Sequence, residues 1–200
     1  MISFQKTFRS EMRIGWLLAC WLPFATRWSL APVAAAEPTP APEYKVKAAY
    51  LANFVRYVDW PACSFPTTKS PVVIGVLDAG EALPALQKYL DGKTVEGHPV
   101  ILKAIVGKQI GSVNPWHILF VTRQAEKIPE ELRTALGDSP TLLVGETEQF
   151  AERGGAVGFV LENESVRLTL CLENATEKGL KVSAKLSGVA KAVRPKTRNR

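Results

Sequence analysis

Four short, almost wholly apolar runs alternate with helix-like segments along this chain, and no other feature narrows its possible folds as much. Residues 71–77, 99–105, 117–121 and 141–144 have the length and continuous apolar character of strands buried on both faces. Between them, residues 81–90 and 128–136 show helical spacing, and residues 149–153 read as one helical turn. Alternation of that kind implies a largely parallel, covered sheet. Residues 156–161 and 166–172 alternate partly and flank the polar turn Glu162-Asn163-Glu164-Ser165, as in an antiparallel hairpin. Upstream, Val46, Ala49/Tyr50, Phe54 and Tyr57/Val58 recur at helical spacing, so residues 44–60 read as an amphipathic helix ended by Pro61. Residues 173–193 are helical in pattern, with Leu180, Ala184, Leu186, Val189 and Val193 available to a core and Gly179 marking a break. The expected fold is α/β: a single domain with a mostly parallel five- to six-stranded sheet, an antiparallel C-terminal hairpin and flanking helices.

The first 36 residues read as a secretion signal. Lys6, Arg9 and Arg13 precede an apolar run over residues 14–25, which leads to Ala34-Ala35-Ala36. A basic start, a short apolar stretch and small residues at the cleavage point are what signal peptidase reads. The run is about 12 residues, shorter than the roughly 20 of a membrane-spanning helix. Pro23, Arg27 and Trp28 interrupt it before the alanines. Cys20 reads as a cysteine within the apolar run rather than a lipid-attachment site. The mature protein is thus expected in the periplasm, with retention as an N-terminal anchor the other outcome. Residues 37–43 form a proline-rich spacer, residues 44–193 the domain, and residues 194–200 a basic tail.

Charge excludes little beyond nucleic acid. The leader carries four bases (Lys6, Arg9, Arg13, Arg27) against one acid (Glu11), so its removal lowers the formal net charge from +6 to +3. Residues 191–200 hold five more bases and no acid, which leaves the core near neutral. Basic residues are not interleaved with aromatics as nucleic-acid binding requires. Two cysteines remain after the leader, Cys63 and Cys171. An oxidising compartment permits a disulfide between them; two separate buried thiols are the other reading.

Catalytic and cofactor chemistry is hard to find. There is no CxxC, no metal-ligand spacing, no G-x-G-x-x-G and no G-x-S-x-G elbow. Gly75 to Gly80 lies between a strand and a helix, but reads as a turn rather than a phosphate cradle. No cofactor is implied. One alternative ligand site is framed by the strand ends near Asp78, His117 and Glu146, since α/β sites often form there.

Specific strings then carry a resemblance. Residues 46–61, Val-Lys-Ala-Ala-Tyr-Leu-Ala-Asn-Phe-Val-Arg-Tyr-Val-Asp-Trp-Pro, resemble the opening signature of the YfiR family of exported bacterial proteins. Residues 74–77 and 117–121 are similar to two of its strands. So are Leu142-Leu-Val-Gly-Glu146 with Phe150 and Gly154-Gly155, and residues 179–186 with Val189-Ala190, to its later motifs. The resemblance implies a non-enzymatic periplasmic regulator. Such a protein binds the periplasmic part of an inner-membrane diguanylate cyclase, or a sensor kinase, and holds it inactive. An outer-membrane lipoprotein can titrate the family's regulator away, raising cyclic di-GMP and promoting biofilm, and members can form homodimers. Trp116 stands where the family often has Cys, and Cys171 where it usually has Asn, so the family's redox-linked cysteine pattern is not reproduced.

On this reading Tyr50, Asn53, Tyr57 and Asp59 are the candidate partner-binding residues. Phe54 and Trp60 read as core packing, which is also the alternative for Tyr57, and Asn53 has a local backbone cap as its alternative. The rival is a periplasmic small-molecule-binding protein or sensor subunit, or less plausibly a hydrolase, using Asp78, His117 and Glu146.

Overall fold

The computed structural model describes residues 42–106, 110, 116–125 and 129–196. The expected leader, most of the expected spacer, most of the connection after residue 106 and the last four residues lie outside them. Pro42 and Glu43, expected in an extended spacer, instead begin the first helix, α1 (Pro42–Tyr57). Proline lacks the N–H that a first helical turn leaves unused. Glu43 in the first turn and Arg56 in the last suit the helix dipole.

After α1 come β1 (Val58–Asp59), a 3-10 turn (Ala62–Ser64), β2 (Val72–Leu77), α2 (Ala82–Leu90), β3 (Thr94–Val95), β4 (His98–Ile105) and β5 (Ile118–Val121). Next are α3 (Pro129–Leu136), β6 (Leu142–Gly145), β7 (Val157–Glu162), β8 (Ser165–Leu170), α4 (Leu172–Glu177), β9 (Lys181–Val182), α5 (Ala184–Val189) and β10 (Lys191–Ala192). The main sheet runs β10-β8-β7-β6-β5-β2-β4-β3. Strands β4, β2, β5, β6 and β7 are mutually parallel. The β7–β8 hairpin is antiparallel, closed by Asn163 (φ 48°) and Glu164 (φ 62°), two left-handed residues as a type I′ turn needs.

Side chains alternate across this sheet. Val72, Ile74 and Val76 of β2, with Ile118, Phe120, Leu142, Val144, Val157 and Phe159, pack against α1 and α2 through Leu51, Phe54, Leu86 and Leu90. Leu77, Leu119, Val121 and Leu143 point the other way, toward Leu132 and Leu136 of α3 and toward Phe150. Burial on both faces explains why the strands lack polar positions.

Three expectations are corrected. The first helix stops at Tyr57, because Val58 and Asp59 pair antiparallel with Val182 and Lys181. The C-terminal segment, read as two helical pieces broken at Gly179, also holds two strands: β9 separates α4 from α5, and β10 follows α5. Gly179 (φ 71°) turns the chain, and the Ser183 hydroxyl caps α5 by accepting from the Leu186 N–H (3.4 Å). The sheet has eight strands rather than five or six, since the two-residue strands β3 and β10 extend it. The described part of the tail is also held: the Lys196 N–H donates to the Glu152 carbonyl (2.8 Å).

Candidate functional site

The inward face of α1 carries Lys47, Ala48, Leu51, Phe54 and Val55, all buried. Its outermost residues include the exposed Lys45, Ala49 and Arg56. Beside them Val46, Tyr50, Asn53 and Tyr57, spaced four, three and four apart, form a largely apolar stripe, with Val46 exposed and the other three half-buried. A partly exposed apolar stripe of this kind is suited to a partner. α5 lies beside this stripe, held by buried Leu186 and by the Ser183 N–H, which donates to the Tyr57 carbonyl (2.8 Å). The result is a groove of about 190 Å3 lined by Tyr50, Asn53, Phe54, Tyr57, Lys185, Leu186 and Val189. Val189 is 65% exposed at its rim. Lys185 Nζ stands 5.3 Å from the centre of the Tyr57 ring, a cation over an aromatic face. Tyr50 packs on Phe54 and Phe159, with ring centres 6.3 and 6.0 Å apart.

Of the residues singled out in the sequence, Tyr50, Asn53 and Tyr57 come together here, with Phe54 as the floor. Asp59 is exposed on β1, opposite Lys181, and does not line the groove. Trp60 packs edge-on against Phe65 and His117. Sequence reasoning did not single out Lys185 and assigned Val189 to the core, where the structure leaves it exposed beside α1.

A second cluster sits at the carboxyl ends of the parallel strands. The chain passes from β2 to β4 on one side and then to β5 on the other, which opens a crevice between the ends of β2 and β5. Lys47 reaches this end from α1 and is fully buried. Its Nζ donates to Glu146 Oε1 (2.7 Å) and Glu43 Oε2 (3.0 Å). Glu146 Oε2 accepts from the Arg123 backbone N–H (3.0 Å), and the Arg123 guanidinium lies 3.5 Å from Glu43 Oε2. Burial, with the Glu146 and Glu43 carboxylates nearby, pushes the Tyr44 phenol up to about 12, partly offset by Arg123. The depression beside these groups holds about 150 Å3. Its charges are already paired with one another, which is the arrangement of a clamp between α1 and the sheet. Gly80 (φ 41°) lies under the Gln124 amide, which a side chain at 80 would overlap.

His117 does not join this cluster. Asp78 follows the carboxyl end of β2 and Glu146 that of β6, but His117 precedes β5 at the opposite end of the sheet. The three alternative ligand residues thus do not form one site. His117 Nδ1 accepts from the Val73 N–H (3.1 Å), and Nε2–H donates to the Ser64 carbonyl (2.9 Å). Burial lowers its pKa, partly opposed by the Ser64 bond, so the neutral ring acts as a brace. Cys63 is exposed and Cys171 buried, and no disulfide joins them; burial raises the Cys171 thiol. Among the described residues no three metal-ligating side chains cluster. No described helix is long and apolar enough to cross a membrane.

Comparison with known proteins follows this geometry. No curated protein matches the chain. The fold is similar to that of a conserved domain protein from Vibrio cholerae, at TM-score 0.53 and 11% identity over 74% of this chain. A domain from Streptococcus pneumonia solved in complex with L-Trp aligns at TM-score 0.47 and 12% identity over 60% of this chain. The chain spans 59% and 55% of those two structures. In sequence, the profile of a family described as YfiR/HmsC-like matches residues 44–191.

Proposed function

The chain belongs to the YfiR/HmsC-like family of periplasmic regulators of cyclic di-GMP signalling, and from that premise we propose that it binds and represses an inner-membrane diguanylate cyclase through the groove between α1 and α5. The family is regulatory and non-catalytic, and it acts through a signalling partner. The observation that carries the reading is the stripe of Val46, Tyr50, Asn53 and Tyr57 beside exposed Val189. Rigid aromatics flanked by a lysine are what protein interfaces use as anchors. The mechanism is differential binding: a repressor moves its partner from 1:99 to 99:1 only by preferring one state by about 5.5 kcal/mol. A sensor kinase is the other partner class, and an outer-membrane lipoprotein would compete for the same regulator. Export, as the sequence of residues 1–36 suggests, would bring the protein where both could meet it.

The test compares cellular cyclic di-GMP in wild type, a deletion, and the deletion carrying an exported or a leaderless copy. A rise on deletion, reversed only by the exported copy, is the expected result; no change on deletion sinks the reading. Tyr57→Ala should weaken partner binding about 30-fold, the scale of a hot-spot truncation.

A further inference from the structure

The main sheet ends at β8, and β10 covers only part of that edge. β10 pairs with Thr169 and Leu170 alone, whereas β7 pairs with β8 from Leu170 to Ser165. The Leu170 carbonyl accepts from the Val193 N–H, so it points away from β7. Backbone direction alternates along an antiparallel strand, so Val166 also turns its N–H and C=O outward. Among the described residues nothing bonds them there. An unpaired edge is a template for another strand. A depression of about 290 Å3 lies beside this one, lined in part by Val160, Arg167, Leu168, Val189 and Lys191, with Glu162 as the one acid. The opposite edge differs, since β4 carries Pro99 and Lys103 and leads into residues outside those described.

We propose that the open edge of β8 takes up an extended segment of a partner protein by strand addition, and that acidic and apolar residues alternate along that segment. The proposal deepens the regulatory reading above and rests on it. An added strand would turn successive side chains to opposite faces of the sheet. One face holds Leu168 and the exposed Val189, which suits apolar side chains. The other holds Arg167 and Lys191, the latter in register with Thr169, which suits carboxylates. A second copy of this chain fits less well. Two β8 strands paired antiparallel about Arg167 would set arginine opposite arginine, which is unfavourable, and paired about Val166 they would set Arg167 opposite Ser165, with no carboxylate to meet it.

Val166→Pro removes an outward N–H that the β7 ladder does not use, so the variant should fold but refuse a new strand. Arg167→Glu reverses the charge at an exposed position. Each is placed in the full chain in cells lacking the natural copy, with cyclic di-GMP as readout, and each purified protein is melted. The wild-type copy should restore the low level. Both variants should leave it at the deletion level while melting within about 4 °C of wild type. If Val166→Pro melts lower than that, Arg167→Glu decides. Repression retained by the folded variants overturns strand addition and leaves the regulatory reading standing. If the deletion itself changes nothing, the regulatory reading fails. The edge is then decided by a photoreactive benzophenone residue in place of Ser165. Crosslinking to an alternating acidic and apolar stretch of another protein supports it. Crosslinking to a second copy of this chain, or none, overturns it.

Discussion

Lys47 is the least expected residue of the core. Its ammonium and the Glu146 carboxylate are each only 2% exposed, and a buried charge is tolerated only when paired. Glu146→Leu should therefore cost about 3 kcal/mol in urea unfolding, since it leaves Lys47 with Glu43 alone. Adding Lys47→Met should recover most of that loss, and a double cycle reads the coupling directly. His117 gives a pH dependence of opposite origin. Its folded pKa lies below the usual 6.5, so the unfolded chain binds the proton more readily. Stability should hold above pH 6.5 and fall as pH drops from there toward the folded value. Melting at pH 7.5 and 5.5 checks this: His117→Asn should lose stability at both but show a smaller difference between them. The helical face read from the sequence, Val46, Ala49/Tyr50, Phe54 and Tyr57/Val58, left out Lys47 and Leu51 and took in Val46 and Ala49, which are exposed. The partner of Lys47, 99 residues away, was not legible either.

At the scale of elements, Phe150 explains a motif. Its ring lies over Gly145 and against Gly155, and a methyl at either position would overlap it. Gly145→Ala should thus destabilise by about 2 kcal/mol through overpacking, whereas Gly188→Ala, with open space around it, should be neutral or better in α5. Denaturant midpoints at equal slope separate the two. The strands β2, β5 and β6 and helix α2 could be read from the chain because each presents a continuous apolar run or a clear helical face. The two-residue strands could not: β1, β9 and β10 are set by pairing partners distant in sequence, and β3 is only the short arm of a tight turn at Glu96-Gly97 onto β4. The turn at Gly179 and a helical piece after it were legible, whereas β9 and β10 on either side of α5 were not.

Across the whole molecule, β2 and β5 have strands on both sides and helices or buried turns on both faces. Their amides should exchange with solvent only on global unfolding, and those of β9 and β10 much sooner, as native-state hydrogen exchange would show. The groove proposed to bind a partner was half legible. The aromatic stripe on α1 was in the sequence, as was a helical piece after Gly179, but that this piece packs beside α1 depends on the Ser183–Tyr57 backbone bond, far apart in sequence. The alternative ligand site failed for a related reason, since strand ends that look alike in a sequence lie at opposite poles of a parallel sheet.

Val189 lines both the groove beside α1 and the depression beside β8. If both proposed berths are used, an occupant of one would touch a side chain that belongs to the other. An occupant of one that shifts Val189 would then alter the affinity for an occupant of the other, equally in both directions. A six-residue helix can thus arbitrate between two callers, or bind one caller that grips both places at once.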